Sequence, residues 1–185
     1  TVHDAAETYG IQNWGRGYFS ANARGCISVH PTQDSSREID LKELVDQLVR
    51  RGLELPVLLR FTDVLQHRVN EIHDAFARAI RENDYKGTYC GVYPIKVNQQ
   101  RQVVEDLLAC SRQHRFGLEC GSKPELLAVL ALTHASAVPI VCNGFKDDDY
   151  IQMVVFAQKL GKNVIPVVEK FSELEMILRH GRELG

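Results

Sequence analysis

From about Pro56 onward, the chain alternates between short, nearly unbroken apolar runs and longer segments whose apolar residues recur three and four positions apart. Runs of the first kind predict strands buried on both faces, and segments of the second kind predict amphipathic helices. Strands are expected over residues 55–61, 88–95, 116–119, 138–142 and 164–168, and helices over 64–81, 103–113, 124–132, 150–160 and 172–180. End signals support the helices: Pro124 suits a first turn, Gly161 follows a helix, and Ser172 with Glu175 three residues later resembles a capping box. Polar residues close the later strands, and Lys96, Glu119, Asn143 and Glu169 are spaced by 23, 24 and 26 positions, the length of one strand plus one helix. Parallel β/α units of this size either close into an eight-stranded barrel or open into a doubly wound sheet, and the periodicity does not choose. In both folds ligands gather at the C-terminal ends of the strands, so these four residues fall on the expected functional face.

The material ahead of the repeats is different. Over residues 9–31, Gly10, Gly15, Gly17 and Gly25 punctuate short aromatic and β-branched pieces, which predicts antiparallel strands and turns. Residues 33–36 form a polar linker, and 39–51 have the pattern of an amphipathic helix. The expected division is an N-terminal β-rich segment over 1–36, part of a β domain completed by other sequence, and the first part of a β/α barrel over 37–185. Because the chain starts at Thr1 without Met and stops at Gly185 just after a helical segment, a fragment of a longer protein is expected.

Composition narrows the function classes without selecting one. Hydrophobic residues make up 44% and charged residues 25%, which indicates ordinary globular material rather than disorder. A net charge of -2 with both signs interspersed leaves no basic stripe for nucleic acid. No apolar stretch approaches a membrane span, and the first residues lack a signal peptide's regions, so a cytoplasmic location without a membrane partner is expected. Five cysteines, an odd number with no C-x-x-C pair, argue against a disulfide framework or zinc site and for reduced packing residues. No histidine spacing suits a metal, so no metal ligand is assigned in this chain. The Lys146-Asp147-Asp148-Asp149 run admits a metal reading, but carboxylates ahead of a helix ordinarily cap its free N–H groups. Gly15-Arg16-Gly17 lacks the strand-to-helix context of a phosphate loop and is read as a turn.

The segment YPIKVNQQ, residues 93–100, places Lys96 at the end of a buried strand. A strand-end lysine ordinarily extends its ammonium into solvent. At an apolar barrel mouth, however, lost hydration favours the neutral amine, which forms a Schiff base with an aldehyde. The residues alone leave both readings open.

The extended segment YPIKVNQQRQVVE, residues 93–105, resembles the pyridoxal-phosphate (PLP) lysine segment of biosynthetic arginine decarboxylases. These belong to the fold-type III family, with ornithine and diaminopimelate decarboxylases and alanine racemase. YGIQNWGRGYFSAN (9–22), LPVLLRFTDVL (55–65), GLECGSKPELL (117–127) and VCNGFKDDDYI (141–151) resemble segments of the same family in the same order. The resemblance covers nearly the whole chain. It implies an α/β fold, a partial (β/α)8 barrel with N-terminal strands from an additional β domain. It also implies PLP-dependent decarboxylation of L-arginine to agmatine, within polyamine biosynthesis.

Carried over residue by residue, the resemblance makes Lys96 the Schiff-base and catalytic lysine. It places Glu119 near the cofactor, where the alternative is a solvated strand-end carboxylate. Glu125 also matches an acidic position of relatives, but it opens a helix, where negative charge is favourable in any case. The resemblance further implies Mg2+ as a cofactor at no identified position, and a homo-oligomer with active sites between subunits. The pyridine-nitrogen partner, the phosphate site and a stacked histidine are expected from sequence beyond this segment, so the isolated segment is expected to be inactive. Competing readings are another fold-type III decarboxylase, a catalytically silent PLP-fold binding protein, and a PLP-independent β/α enzyme using a Schiff-base lysine.

Overall fold

Four parallel strands carry the larger part of the chain: β4 (Gly91–Pro94), β5 (Phe116–Cys120), β6 (Pro139–Cys142) and β7 (Asn163–Pro166). They come from a computed structural model that describes residues 1–110, 113–133 and 137–184. Two compact units are present, Thr1–Asn70 and Glu71–Gly185.

The first unit opens with α1 (Val2–Thr8), whose Thr1 and Asp4 form a reciprocal capping box. Next come α2 (Ile11–Gly15), β1 (Phe19–Ala21), β2 (Ile27–Val29), β3 (Ile39–Asp40), α3 (Leu41–Arg50) and α4 (Thr62–Glu82), the last of which contains the point of division. β1 and β3 flank β2 in antiparallel register, with Phe19 opposite Val29 and Val29 opposite Ile39. The expected strands and turns over 9–31 are therefore correct for β1 and β2 and wrong for residues 11–15, which are helical. Left-handed Gly10 and Arg16 bracket that turn of helix, Ile11 is buried, and Trp14 packs on Phe19 at 5.4 Å. These contacts override the strand preference of the aromatic residues. The helix expected over 39–51 starts two residues late, because Ile39 and Asp40 pair with β2 and the Asp40 carboxylate then caps α3 through the Glu43 N–H. That pairing also ties residues beyond the expected 36/37 boundary to the N-terminal strands.

The strand expected over 55–61 does not form: neither sheet includes it, and Leu55 and Leu58 are 61% and 73% exposed. An apolar run becomes a strand only when a neighbour completes its ladder of hydrogen bonds.

In the second unit the strand order is β4-β5-β6-β7, all parallel, the same as their order along the chain. The intervening helices are α5 (Arg101–Ala109), α6 (Lys123–Leu132) and α7 (Asp148–Lys159), and α8 (Phe171–Leu184) follows β7. Right-handed crossovers that always step in one direction put every helix on the same face of the sheet. A doubly wound sheet would need a reversal of direction, and none occurs among these strands. The arrangement is the progression of a β/α barrel, with four of its strands present.

Burial agrees with this. Leu118, Cys120, Ile140, Cys142 and Val164 alternate along the strands toward Val104, Leu126, Val129, Tyr150, Val154 and Ala157 of the helices, forming one core. Each such large apolar side chain contributes about 1.5–3 kcal/mol on burial. Val92 and Ile165, on the other strand face, remain 37% and 46% exposed.

Most of the expected helices are present, with local differences. The helix expected over 103–113 begins at Arg101, and residues 111 and 112 lie outside the described residues, as does residue 185. Ser122 caps α6 through the Glu125 N–H, and Asp147 caps α7 through the Tyr150 N–H, so the start of the Lys-Asp-Asp-Asp run does cap a helix. The capping box expected of Ser172 and Glu175 does not form, because α8 starts at Phe171 and Ser172 lies inside it. Glu173 instead accepts the Glu169 N–H at 2.8 Å.

Candidate functional site

β4 ends at Pro94, which also opens a 3-10 turn over Ile95–Val97. Lys96 therefore sits on a tight turn just past the strand rather than on the strand itself. Ile95, only 3% exposed, anchors this turn in the core, while Lys96 is exposed. Beyond it, the Tyr93 hydroxyl donates to the Asn98 carbonyl at 3.2 Å, and the Asn98 side chain accepts the Gln100 N–H at 3.0 Å. The lysine is thus carried on a short segment pinned on both sides.

Glu119 lies on β5, in register with Pro94 of β4 and Val141 of β6. It is 5% exposed, and neither carboxylate oxygen has a hydrogen-bond partner. A buried acceptor left unpaired costs about 1–3 kcal/mol, and more when charged. A cationic or N–H-bearing group placed against it would relieve that cost. The solvated alternative for Glu119 is therefore excluded by its burial. Glu125 behaves differently: it accepts the Gly121 N–H at 2.8 Å and gives its own N–H to the Ser122 hydroxyl, closing the start of α6.

The loops after β5, β6 and β7 are drawn together beside Glu119. The Asn143 N–H donates to the Cys120 carbonyl at 2.9 Å. Gly144 has a φ of +75°, and a Cβ there would lie 2.6 Å from the Gly121 carbonyl oxygen, so no other residue fits without moving backbone. Its N–H donates to Glu169 at 2.7 Å. Lys146 and Glu173, whose side chains are 0% and 1% exposed, form an ion pair at 3.5 Å behind these loops. Burial pulls the Glu173 carboxyl upward, but N–H donors from Glu169 and Lys146 and the Lys146 charge outweigh it and hold the group below its ordinary range.

Of the residues singled out from the sequence, Lys96, Glu119, Asn143 and Glu169 all fall at the C-terminal side of their strands, as expected. The Lys146–Glu173 pair went unread, because a lysine leading three aspartates looks like solvated surface; nothing in its local pattern signals burial. Five cysteines are free, as expected, and Cys120 and Cys142 lie side by side in the core with sulfurs 3.6 Å apart.

At the other end of the sheet, where β4 and β5 begin, His73 stacks on His114 at 4.2 Å and Phe76 stacks on Tyr89 at 3.9 Å. Burial, and then the charge of His114, holds the His73 imidazole below its ordinary range.

Residues 66–183 match the family described as "Pyridoxal-dependent decarboxylase, pyridoxal binding domain". The chain is similar to the biosynthetic arginine decarboxylase of Rhodopirellula baltica, with 50% identity over all of this chain and 28% of that protein. The protein of the same name from Prochlorococcus marinus (strain MIT 9313) is 47% identical over all of this chain, again over 28% of its own length. Among solved structures, the biosynthetic arginine decarboxylase SpeA from Campylobacter jejuni superposes with a TM-score of 0.86 at 34% identity, over 95% of this chain and 29% of that one. The chain thus spans about 28% of the length of the curated relatives it matches.

Proposed function

The chain belongs to the pyridoxal-dependent decarboxylases through their pyridoxal-binding domain, and on that premise we propose that it supplies the PLP-anchoring part of an enzyme converting L-arginine to agmatine and carbon dioxide. The observation that carries this reading is the buried, unpartnered Glu119 carboxylate on the strand beside the one that leads into Lys96. An acceptor kept dry and unpaired suits a protonated nitrogen, which fits the cofactor and its amine substrate.

PLP, when bound, supplies the electron sink that makes loss of the α-carboxylate feasible. Lys96 would hold the cofactor covalently through its side-chain amine, and its short pinned turn fixes the backbone from which that amine extends. With the substrate's α-amine bound in its place, the Lys96 amine would be free to hold a proton and to supply it at the α-carbon. That proton would take the place of the carboxylate lost as carbon dioxide, and the product would keep its guanidinium. Glu119 opposes the positive charge beside Lys96. The relatives' printed name, biosynthetic arginine decarboxylase, supports arginine as the substrate, and the agmatine formed would pass into polyamine (putrescine and spermidine) synthesis.

The remaining parts of the proposal rest on charge, composition and the pattern of the N-terminal residues, and the homo-oligomer on the family resemblance. They are a cytoplasmic homo-oligomer with active sites between subunits, no nucleic-acid or membrane partner, and an N-terminal segment that joins a β domain built largely from other sequence. Among the described residues no helix is long and apolar enough to cross a membrane. Magnesium belongs to the proposal by the family resemblance only. Among the described residues, no three His, Cys, Asp or Glu side chains are grouped to hold a metal ion, so no residue is assigned to it and no step passes through it.

The test measures carbon dioxide release from arginine, ornithine and lysine by the full-length protein with PLP, beside a Lys96→Ala variant. Arginine-dependent release is expected, falling by about 10²–10⁴-fold or more in the variant. Release from ornithine in preference to arginine would move the substrate, and undiminished release by the variant would remove Lys96 from its role.

A further inference from the structure

A lysine and a glutamate buried together are costly to desolvate, and a well-packed apolar pair in their place is often as stable or more so. Their value to a fold therefore lies in what their directional bonds hold. Here those bonds all go to loop backbone at the C-terminal edge of the sheet. One Glu173 oxygen accepts the Lys146 N–H at 3.0 Å and the other accepts the Glu169 N–H at 2.8 Å, which ties the loop after β6 to the loop after β7. The Lys146 ammonium donates to the Gly144 carbonyl at 2.7 Å, while the Gly144 N–H is held by Glu169 at 2.7 Å.

Gly144 is thus gripped through both its hydrogen-bonding groups, in a left-handed conformation, directly against the Gly121 carbonyl. Gly121 follows β5, two residues after Glu119, and the neighbouring Asn143 N–H holds the Cys120 carbonyl between them. The chain of contacts runs without a break from the buried pair to the backbone that carries Glu119.

We propose that Lys146 and Glu173 are positioning residues for the cofactor face, holding Gly144 against Gly121 and thereby setting the backbone that presents the Glu119 carboxylate. The inference rests on the PLP reading given above. It assigns no contact with cofactor or substrate to either residue; both act through the loops.

The experiment uses the full-length enzyme with Lys146→Met, Glu173→Gln and, as a mild exposed perturbation of the same network, Glu169→Ala. Three quantities are read: the dissociation constant of PLP for the apoenzyme by absorbance titration, kcat and KM for arginine at saturating PLP, and the thermal midpoint. The PLP dissociation constant is expected to rise about tenfold in Lys146→Met and Glu173→Gln and about threefold in Glu169→Ala, with kcat reduced at saturating PLP and KM changed less. A role confined to stability would lower the midpoint and leave the PLP constant and kcat of the folded protein at wild-type values; that result overturns the proposal. If the two buried variants fail to fold, Glu169→Ala decides, and an unchanged PLP constant in that variant also overturns it. Failure of the wild-type protein to take up PLP would sink the cofactor reading and this inference together, whereas normal wild-type uptake with unaltered variants sinks this inference alone.

Discussion

The two ends of the parallel sheet are made of opposite materials. At its C-terminal edge, Glu119, Lys146, Glu169 and Glu173 act on backbone groups or wait for a partner, and their bonds have fixed directions. At its N-terminal edge, rings are stacked: His73 on His114 with an 18° interplanar angle, and Phe76 on Tyr89 with one of 4°. Ring stacking and apolar burial close a surface without specifying where any one atom must be. Buried charges do the reverse, costing desolvation while fixing positions. An end built for closure and an end built for placement correspond to the division of labour in β/α barrels, where chemistry sits at the C-terminal face and stability at the N-terminal one.

A pair of glycine substitutions in the full-length protein breaks the comparison most directly. Gly144→Ala puts a methyl group 2.6 Å from a backbone oxygen at a φ of +75°, so neither neighbour nor torsion accommodates it. A loss of about 3 kcal/mol or more is expected in urea unfolding, together with weakened PLP uptake. Gly91→Ala, at the opposite end, meets the Phe116 ring at 2.9 Å and the His73 imidazole at 3.1 Å, both side chains that can shift. The expected loss is smaller, about 1–3 kcal/mol, with PLP affinity of the folded protein unchanged. Equal effects of the two variants on PLP affinity would erase the distinction between the ends.

The smallest effect is a difference in pH window, which sharpens the comparison. Burial and the His114 charge, partly opposed by Asp74, hold the folded His73 below its ordinary 6.5, so the unfolded chain takes the proton first. Stability from this end is complete above that pH and declines as the pH falls from 6.5 toward the folded value. Glu173 is held below its ordinary 4.5, so its contribution is present above 4.5 and is lost only as the pH falls through its lower folded value. Urea midpoints at pH 7.5 and 5.5 should therefore differ in the wild type and converge in His73→Phe. An unchanged difference in that variant would place the titration elsewhere.

Much of the second unit was legible from periodicity. Parallel strands buried by helices on one face and by barrel neighbours on the other are written as short apolar runs, and β4 to β7 lie inside or beside the runs that predicted them. The choice between barrel and doubly wound sheet was not legible, because it depends on the direction of each crossover, which leaves no mark on hydrophobic spacing. Residues 55–61 have the same apolar pattern as the true strands yet join neither sheet among the described residues, since a ladder is a property of two segments. Lys96 was placed correctly to within a turn, but the dry, unpaired state of Glu119 depends on strands β4 and β6 beside it. The Lys146–Glu173 pair spans 27 positions, and neither residue has a neighbour that hints at the other.

The adjacent sulfurs of Cys120 and Cys142 make the sheet its own timekeeper. Both thiols are 0% exposed at the last residues of neighbouring strands, whereas Cys26 and Cys90 are only partly covered. A thiol reagent added to the native protein will consume the partly covered pair early, will reach the buried Cys110 when the end of α5 loosens, and must wait for β5 and β6 to open before reaching Cys120 and Cys142. The delay measures how long the part of the sheet that carries Glu119 stays shut, with no label, substitution or cofactor added to the molecule.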